Sequence, residues 1–163
     1  MTSPQMSASL SKQIQHEMYS SNLYLAMAAW SESQNLKGMA HWMRIQADEE
    51  RTHALKIFDY LVSIGAAATV AAIDKPPADF KNAPHLFEEV LKHEQSVSRL
   101  IHGLYQQALD EKDFRTQIFL QWFVTEQVEE EANVQEILQK LVAVGDKSSG
   151  IYWIDKELKK RGA

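Results

Sequence analysis

The sequence predicts an all-α fold: a four-helix bundle with one long crossover connection and a short fifth C-terminal helix. Three observations predict it. The chain has 163 residues but only 6 glycines and 4 prolines, and Pro76, Pro77 and Pro84 crowd into one short stretch. Long intervals free of both breakers suggest long helices. Each long interval also carries an apolar stripe at the three-four spacing of a helix that buries one face.

The first helix is expected from about Ser7 to Gln34, ending near Asn35-Leu36-Lys37-Gly38. The second runs from about Met39 to Ile64, with Gly65 placed for a left-handed C-cap. Asn82 reads as the N-cap of the third helix and Pro84 as its first-turn proline, and that helix continues to about Glu111. Asp113 is the expected cap of the fourth, which runs to Val144 and stops at Gly145. A fifth short helix spans about Ser149 to Lys160, with Ile151, Ile154 and Leu158 on one face. One domain over residues 1–163 accounts for the length.

The link from Gly65 to Ala83 sets the topology. A second helix of about 26 residues is roughly 39 Å long. About nineteen extended residues reach roughly 60 Å, enough to cross the bundle and start the third helix beside the beginning of the second. The chain then consists of two antiparallel hairpins joined by one crossover, the ferritin-like connectivity rather than simple up-down-up-down.

Composition excludes several classes. Lys and Arg total 17 against 22 Asp and Glu, a net charge of −5, so the basic footprint of a nucleic-acid binder is missing. The absence of cysteine removes disulfide frameworks, zinc ribbons, iron–sulfur clusters and thiolate nucleophiles. The N-terminal MTSPQMSASL has neither a basic nor an apolar signal region, and the apolar run Ile64–Ile73 is too short to span a bilayer. A cytoplasmic protein with no membrane partner is expected.

The stripes break in the middle. Glu17 interrupts the first, Gln46, Glu50 and His53 the second, Glu94 the third, and Gln127 with Glu130 the fourth. The breaks fall at matching depth once the helices alternate in direction. A buried glutamate is costly unless compensated, and no Lys or Arg occupies these central positions. Two divalent metals would balance four carboxylates. Oxygen ligands with one imidazole suit iron or manganese, with zinc as a competitor. Glu50-Arg51-Thr52-His53 is an E-x-x-H motif that sets carboxylate and imidazole on one face. That motif, Glu94 or the run Glu126–Glu131 would each, read alone, be a solvated face; their conjunction is the signal.

With these residues the sequence resembles the ferroxidase-active bacterial non-haem ferritins along essentially its whole length. The resemblance implies a dinuclear iron centre inside one subunit. Glu17, Glu50 and His53 would hold one iron, Glu94 and Glu130 the other, with Glu50 bridging and Gln127 beside them as a hydrogen-bonding or weak-ligand neighbour. Tyr24 matches the family's centre-adjacent tyrosine, which hydrogen-bonds a ligand or supplies an electron. Glu49, Glu126 and Glu129 match a third iron site on the cavity side, with Glu130 shared. Dioxygen or hydrogen peroxide would be the oxidant, ferric mineral the stored product, and a homo-oligomeric cage of twenty-four subunits the container. In the family pattern the fifth helix packs around the fourfold axes; read by itself, it could cap its own bundle.

Neighbouring families fit less well. Bacterioferritins need a haem-ligating Met beside the first motif and a second E-x-x-H; here Arg51 follows Glu50, and Gln127 and Glu130 stand where another histidine is required, so no haem is expected. Rubrerythrins need cysteines. DNA-protecting mini-ferritins lack the fifth helix and place metals between subunits. Trp122 reads as a packing residue before a reductant, the methionines as core filler, and His16, His41, His85, His93 and His102 as surface residues. Two alternatives from other classes remain: a non-catalytic helical interaction module, and a di-iron oxidase acting on an organic substrate.

Overall fold

A computed structural model describes residues 2–145 and 148–162; Met1, Asp146, Lys147 and Ala163 lie outside it. Five helices follow in order, α1 (Pro4–Ser33), α2 (Lys37–Ser63), α3 (Ala83–Asp110), α4 (Phe114–Val144) and α5 (Ser148–Leu158). No helix among the described residues is long and apolar enough to cross a membrane.

Local chemistry sets most boundaries. Helix α1 starts three residues before the expected position, because the Ser3 side chain accepts a hydrogen bond from the Met6 amide and Pro4 fills the first turn. Asn82 caps α3 through His85 N–H, and Asp113 caps α4 through Thr116 N–H, as expected. Gly65 takes φ +71° at the end of α2, with Ala66 N–H bonded to Leu61 O at 2.9 Å.

Between α1 and α2 the expectation fails. Asn35 adopts the left-handed conformation at φ 58°, while Gly38 lies inside α2. Leu36 provides no side-chain cap for α2. That role passes to Asp155 of α5, whose Oδ1 accepts from Met39 N–H at 2.8 Å. The approach is close enough that a Cβ on residue 38 would lie 1.6 Å from the Asp155 carbonyl oxygen, so only glycine fits there.

The crossover climbs alongside α1. Thr69 N–H donates to Ser11 Oγ at 3.1 Å, Gln15 Nε2 to Ala72 O at 2.5 Å, and Phe80 meets Trp30 edge-on with ring centroids 5.8 Å apart. The chain thus arrives beside the start of α2, where Phe87 of α3 packs on Trp42 at 5.5 Å. Helix α5 packs on α2 and α4, burying Ile154 and Leu158.

Two apolar clusters result. One joins Tyr24, Met27, Trp42, Met43, Phe87, Val90, Val134 and Leu141; the other joins Leu10, Ile14, Ile57, Leu61, Ile101, Leu104, Leu120 and Phe123. Every interrupting residue lies between them.

Candidate metal centre

Each of the four long helices brings one carboxylate to this middle layer. Glu17, Glu50 and Glu94 are 1% exposed, Glu130 4% and His53 5%. Ligand atoms of Glu17, Glu50 and His53 all lie within 4.8 Å of one another, and so do those of His53, Glu126 and Glu130. His53 belongs to both groups. Its Nδ1 is 3.6 Å from Glu50 Oε2, and its ring is set by Trp122 and Phe123, both near-perpendicular at 5.4 and 6.0 Å.

Neutral donors hold the carboxylates. Gln13 Nε2 donates to Glu17 Oε1 at 2.8 Å. Gln46 Nε2 donates to Glu130 Oε2 at 2.7 Å and more distantly to Glu50 Oε1 at 3.4 Å. Glu94 accepts from the Tyr24 hydroxyl and, at 3.1 Å, from Gln127 Nε2. Gln127 also reaches Glu94 O and Ser98 Oγ, both at 3.3 Å. Glu17 Oε2 is buried with no hydrogen-bond partner.

Burial with unneutralised like charge defines the electrostatics. Burial and then Glu50 push the Glu17 carboxyl well above its ordinary range. Burial, Glu94 and Glu130 do the same to Glu50. Glu94 is raised by burial, although Tyr24 and Gln127 oppose the shift. Glu130 is raised to about 7, by burial and then by Glu94. Burial and Glu94 push the Tyr24 hydroxyl well upward. Among the described residues, no lysine or arginine forms a salt bridge with any of these four glutamates. Four carboxylates, one imidazole and an orphaned buried oxygen fit hard divalent or trivalent cations, which bind as the protons leave.

The Ferritin family, a ferritin-like domain, matches residues 7–144. The chain belongs to the ferritin family. This ferritin is 43% identical over 161 residues to a bacterial non-heme ferritin of Bacteroides fragilis, covering 99% of this chain and 100% of that one. It is 39% identical over 158 residues to the bacterial non-heme ferritin of Escherichia coli, with 97% and 96% covered. Among solved structures, an open pore ferritin from the hyperthermophilic archaeon Archaeoglobus fulgidus matches with a TM-score of 0.98 at 42% identity, with 99% of each chain covered.

In this ferritin the structure brings Glu17, Glu50 and His53 together in one group, and Tyr24, Glu94 and Gln127 in one hydrogen-bonded set. Glu130 shares its ligand group with His53 and Glu126, and Glu94 stands in neither group. Of the three residues expected in a third site, Glu126 is half-buried against the inner set. Glu49 is half-buried and bonded to Arg161 Nη2 at 2.5 Å. Glu129 is exposed and in neither group. His93 is not a surface residue. It lies half-buried between α1 and α3, its Nε2 2.7 Å from Ser20 Oγ and its ring 6.3 Å from that of Tyr24, and burial lowers its pKa to about 4.

Gln13 and Arg161 were missed as parts of the site, and Gln46 was read only as a break in its stripe. The two glutamines carried a readable signal, since Gln13 precedes Glu17 and Gln46 precedes Glu50 by four residues, the spacing at which an amide reaches a carboxylate on one helix face. Arg161 follows the last helical turn and has no periodic signal.

Proposed function

We propose that this chain stores iron, oxidising Fe(II) to Fe(III) at a dinuclear centre inside one subunit and sequestering the ferric product in a cavity enclosed by a homo-oligomeric, twenty-four-subunit cage. The observation that carries this reading is the middle layer, where four buried glutamates converge with His53, none of them, among the described residues, in a salt bridge with a lysine or arginine, and where one Glu17 oxygen has no hydrogen-bond partner. Iron is substrate and cargo. Each Fe(II) gives up one electron, and two electrons reduce dioxygen to the level of peroxide or peroxide to water. Hard carboxylate oxygens favour Fe(III) over Fe(II), which drives the oxidation. Glu17, Glu50, His53, Glu94 and Glu130 serve as the inner ligands, and Gln13, Gln46, Gln127 and Tyr24 hold those carboxylates in place.

Glu49, Glu126 and Glu129 extend the centre towards the cavity and carry iron out of it. Their positions give them separate roles. Glu126 stands within ligand distance of His53 and Glu130, so it contributes to the first oxidation, whereas Glu49 and Glu129 act in turnover.

Stopped-flow absorbance with sequential aerobic Fe(II) additions tests the scheme on the assembled protein. Two Fe(II) per subunit should oxidise in a fast phase that Glu50→Ala abolishes and Glu126→Ala slows. Glu49→Ala and Glu129→Ala should keep that phase and lose regeneration on the second addition. A Glu50→Ala protein with the parent's fast phase would overturn the centre. A monomeric or dimeric mass on size-exclusion chromatography would overturn the cage.

A further inference from the structure

The tail beyond α5 places a cation on the outer edge of the site. Arg161 Nη2 donates to Glu49 Oε2 at 2.5 Å and Nη1 to Gln46 Oε1 at 2.8 Å. The guanidinium lies over the Trp42 ring, 4.5 Å from its centroid, and His41 Nε2 is 2.9 Å from the Arg161 carbonyl oxygen. All four contacts fall on α2, and the docking of α5 through Asp155 and Gly38 delivers the tail to them.

Two consequences follow. Glu49 already holds a cation, and a guanidinium stays charged at any working pH, so it leaves only by swinging away intact. By engaging Gln46 Oε1, Arg161 also turns the Gln46 amide so that Nε2 faces Glu130. One tail residue is therefore linked both to the outer carboxylate and, through one side chain, to the inner layer.

We propose that Arg161 is the resident counter-cation of Glu49, and that a metal ion reaching Glu49 must displace it. Arg161 is then a positioning residue whose hold on Glu49 and Gln46 sets how readily metal moves from the inner centre to the cavity side. This rests on the reading that Glu49 takes metal. The pair is partly exposed, with side chains 23% and 44% accessible. An ion pair of that kind, with one further hydrogen bond and an aromatic stack, should weaken metal binding at Glu49 by roughly three- to tenfold.

Isothermal titration of the assembled, metal-free protein with Zn(II), which has no redox chemistry, reads this directly. The parent should show tight inner binding and a weaker event that Glu49→Gln removes. Arg161→Gln should tighten only the weaker event, by that three- to tenfold, and Arg161→Lys should fall between Arg161→Gln and the parent. The Arg161→Gln/Glu49→Gln double variant should match Glu49→Gln. If neither parent nor Arg161→Gln shows a Glu49-dependent event, the outer-site reading falls and the proposal with it. If Glu49→Gln removes the event but Arg161→Gln leaves its affinity unchanged, the outer site stands and the counter-cation role is overturned. A crystal of the unmodified protein soaked in Zn(II) decides independently of any variant: metal on Glu49 with Arg161 withdrawn supports displacement, and metal on Glu49 with Arg161 still bonded to it refutes it.

Discussion

Along the axis of the bundle, the two apolar clusters and the carboxylate layer between them occupy the same kind of position and do opposite things. Leu10, Ile57, Phe87 and Leu120 are fully buried on helix faces that continue directly into Glu17, Glu50, Glu94 and Glu130, which are buried almost as completely. Burying the first set removes apolar surface from water and stabilises the fold. Burying the second set strips carboxylates of water and crowds them against one another, which raises their affinity for protons. The middle layer is therefore a local deficit held in register by the clusters on either side. The geometry of the site depends on stability generated elsewhere, and metal or protons remove the deficit.

Breaking an apolar cluster should have the largest effect. Phe87 is fully buried against Trp42, and Phe87→Ala should cost about 3–5 kcal/mol in chemical denaturation of the metal-free protein. Replacing charge by apolar volume in the middle should act with the opposite sign. Glu94→Leu/Glu130→Leu should stabilise the metal-free protein by about 1–4 kcal/mol while abolishing rapid Fe(II) oxidation. A lower melting temperature for this double variant would show that the carboxylates are not a deficit.

The smallest effect is a pH slope. Glu130 is raised from 4.5 to about 7, so the folded state binds its proton more tightly than the unfolded chain does. That contribution is fully present below pH 4.5 and is lost as pH rises through about 7. Calorimetry of the chelated protein should show the melting temperature falling across that window. Glu130→Gln should flatten the slope, whereas Phe87→Ala should lower the whole curve and keep it.

Most of this contrast was legible in the sequence because it is periodic. Four stripes with polar breaks at one depth locate the layer, and the length of the link before Ala83 determines which helices run together. The separation of Glu126 from Glu129 was also within reach, since Glu126 lies one turn before Glu130 on the same face and Glu129 does not. What the pattern could not carry were contacts between distant segments. Gly38 reads as a helix terminator, yet it lies within α2 because Asp155 needs room against the backbone. Arg161 follows Lys159-Lys160 with no periodic signal, and only the docking of α5 puts it on Glu49. Neither contact leaves a trace in local spacing, because each partner is specified by the packing of whole helices.

The cap that Asp155 supplies to α2 also has an order in time. Met39 and its acceptor are separated by 116 positions, so at typical synthesis rates the start of α2 leaves the ribosome roughly 6–23 s before the residue that caps it. Throughout that interval the first hairpin carries an uncapped helix end, and the nascent chain cannot complete the junction until α5 has been made. Closure of the bundle is thereby tied to synthesis of α5, so a chain cut short before Asp155 keeps all four long helices yet lacks the contact that finishes the second.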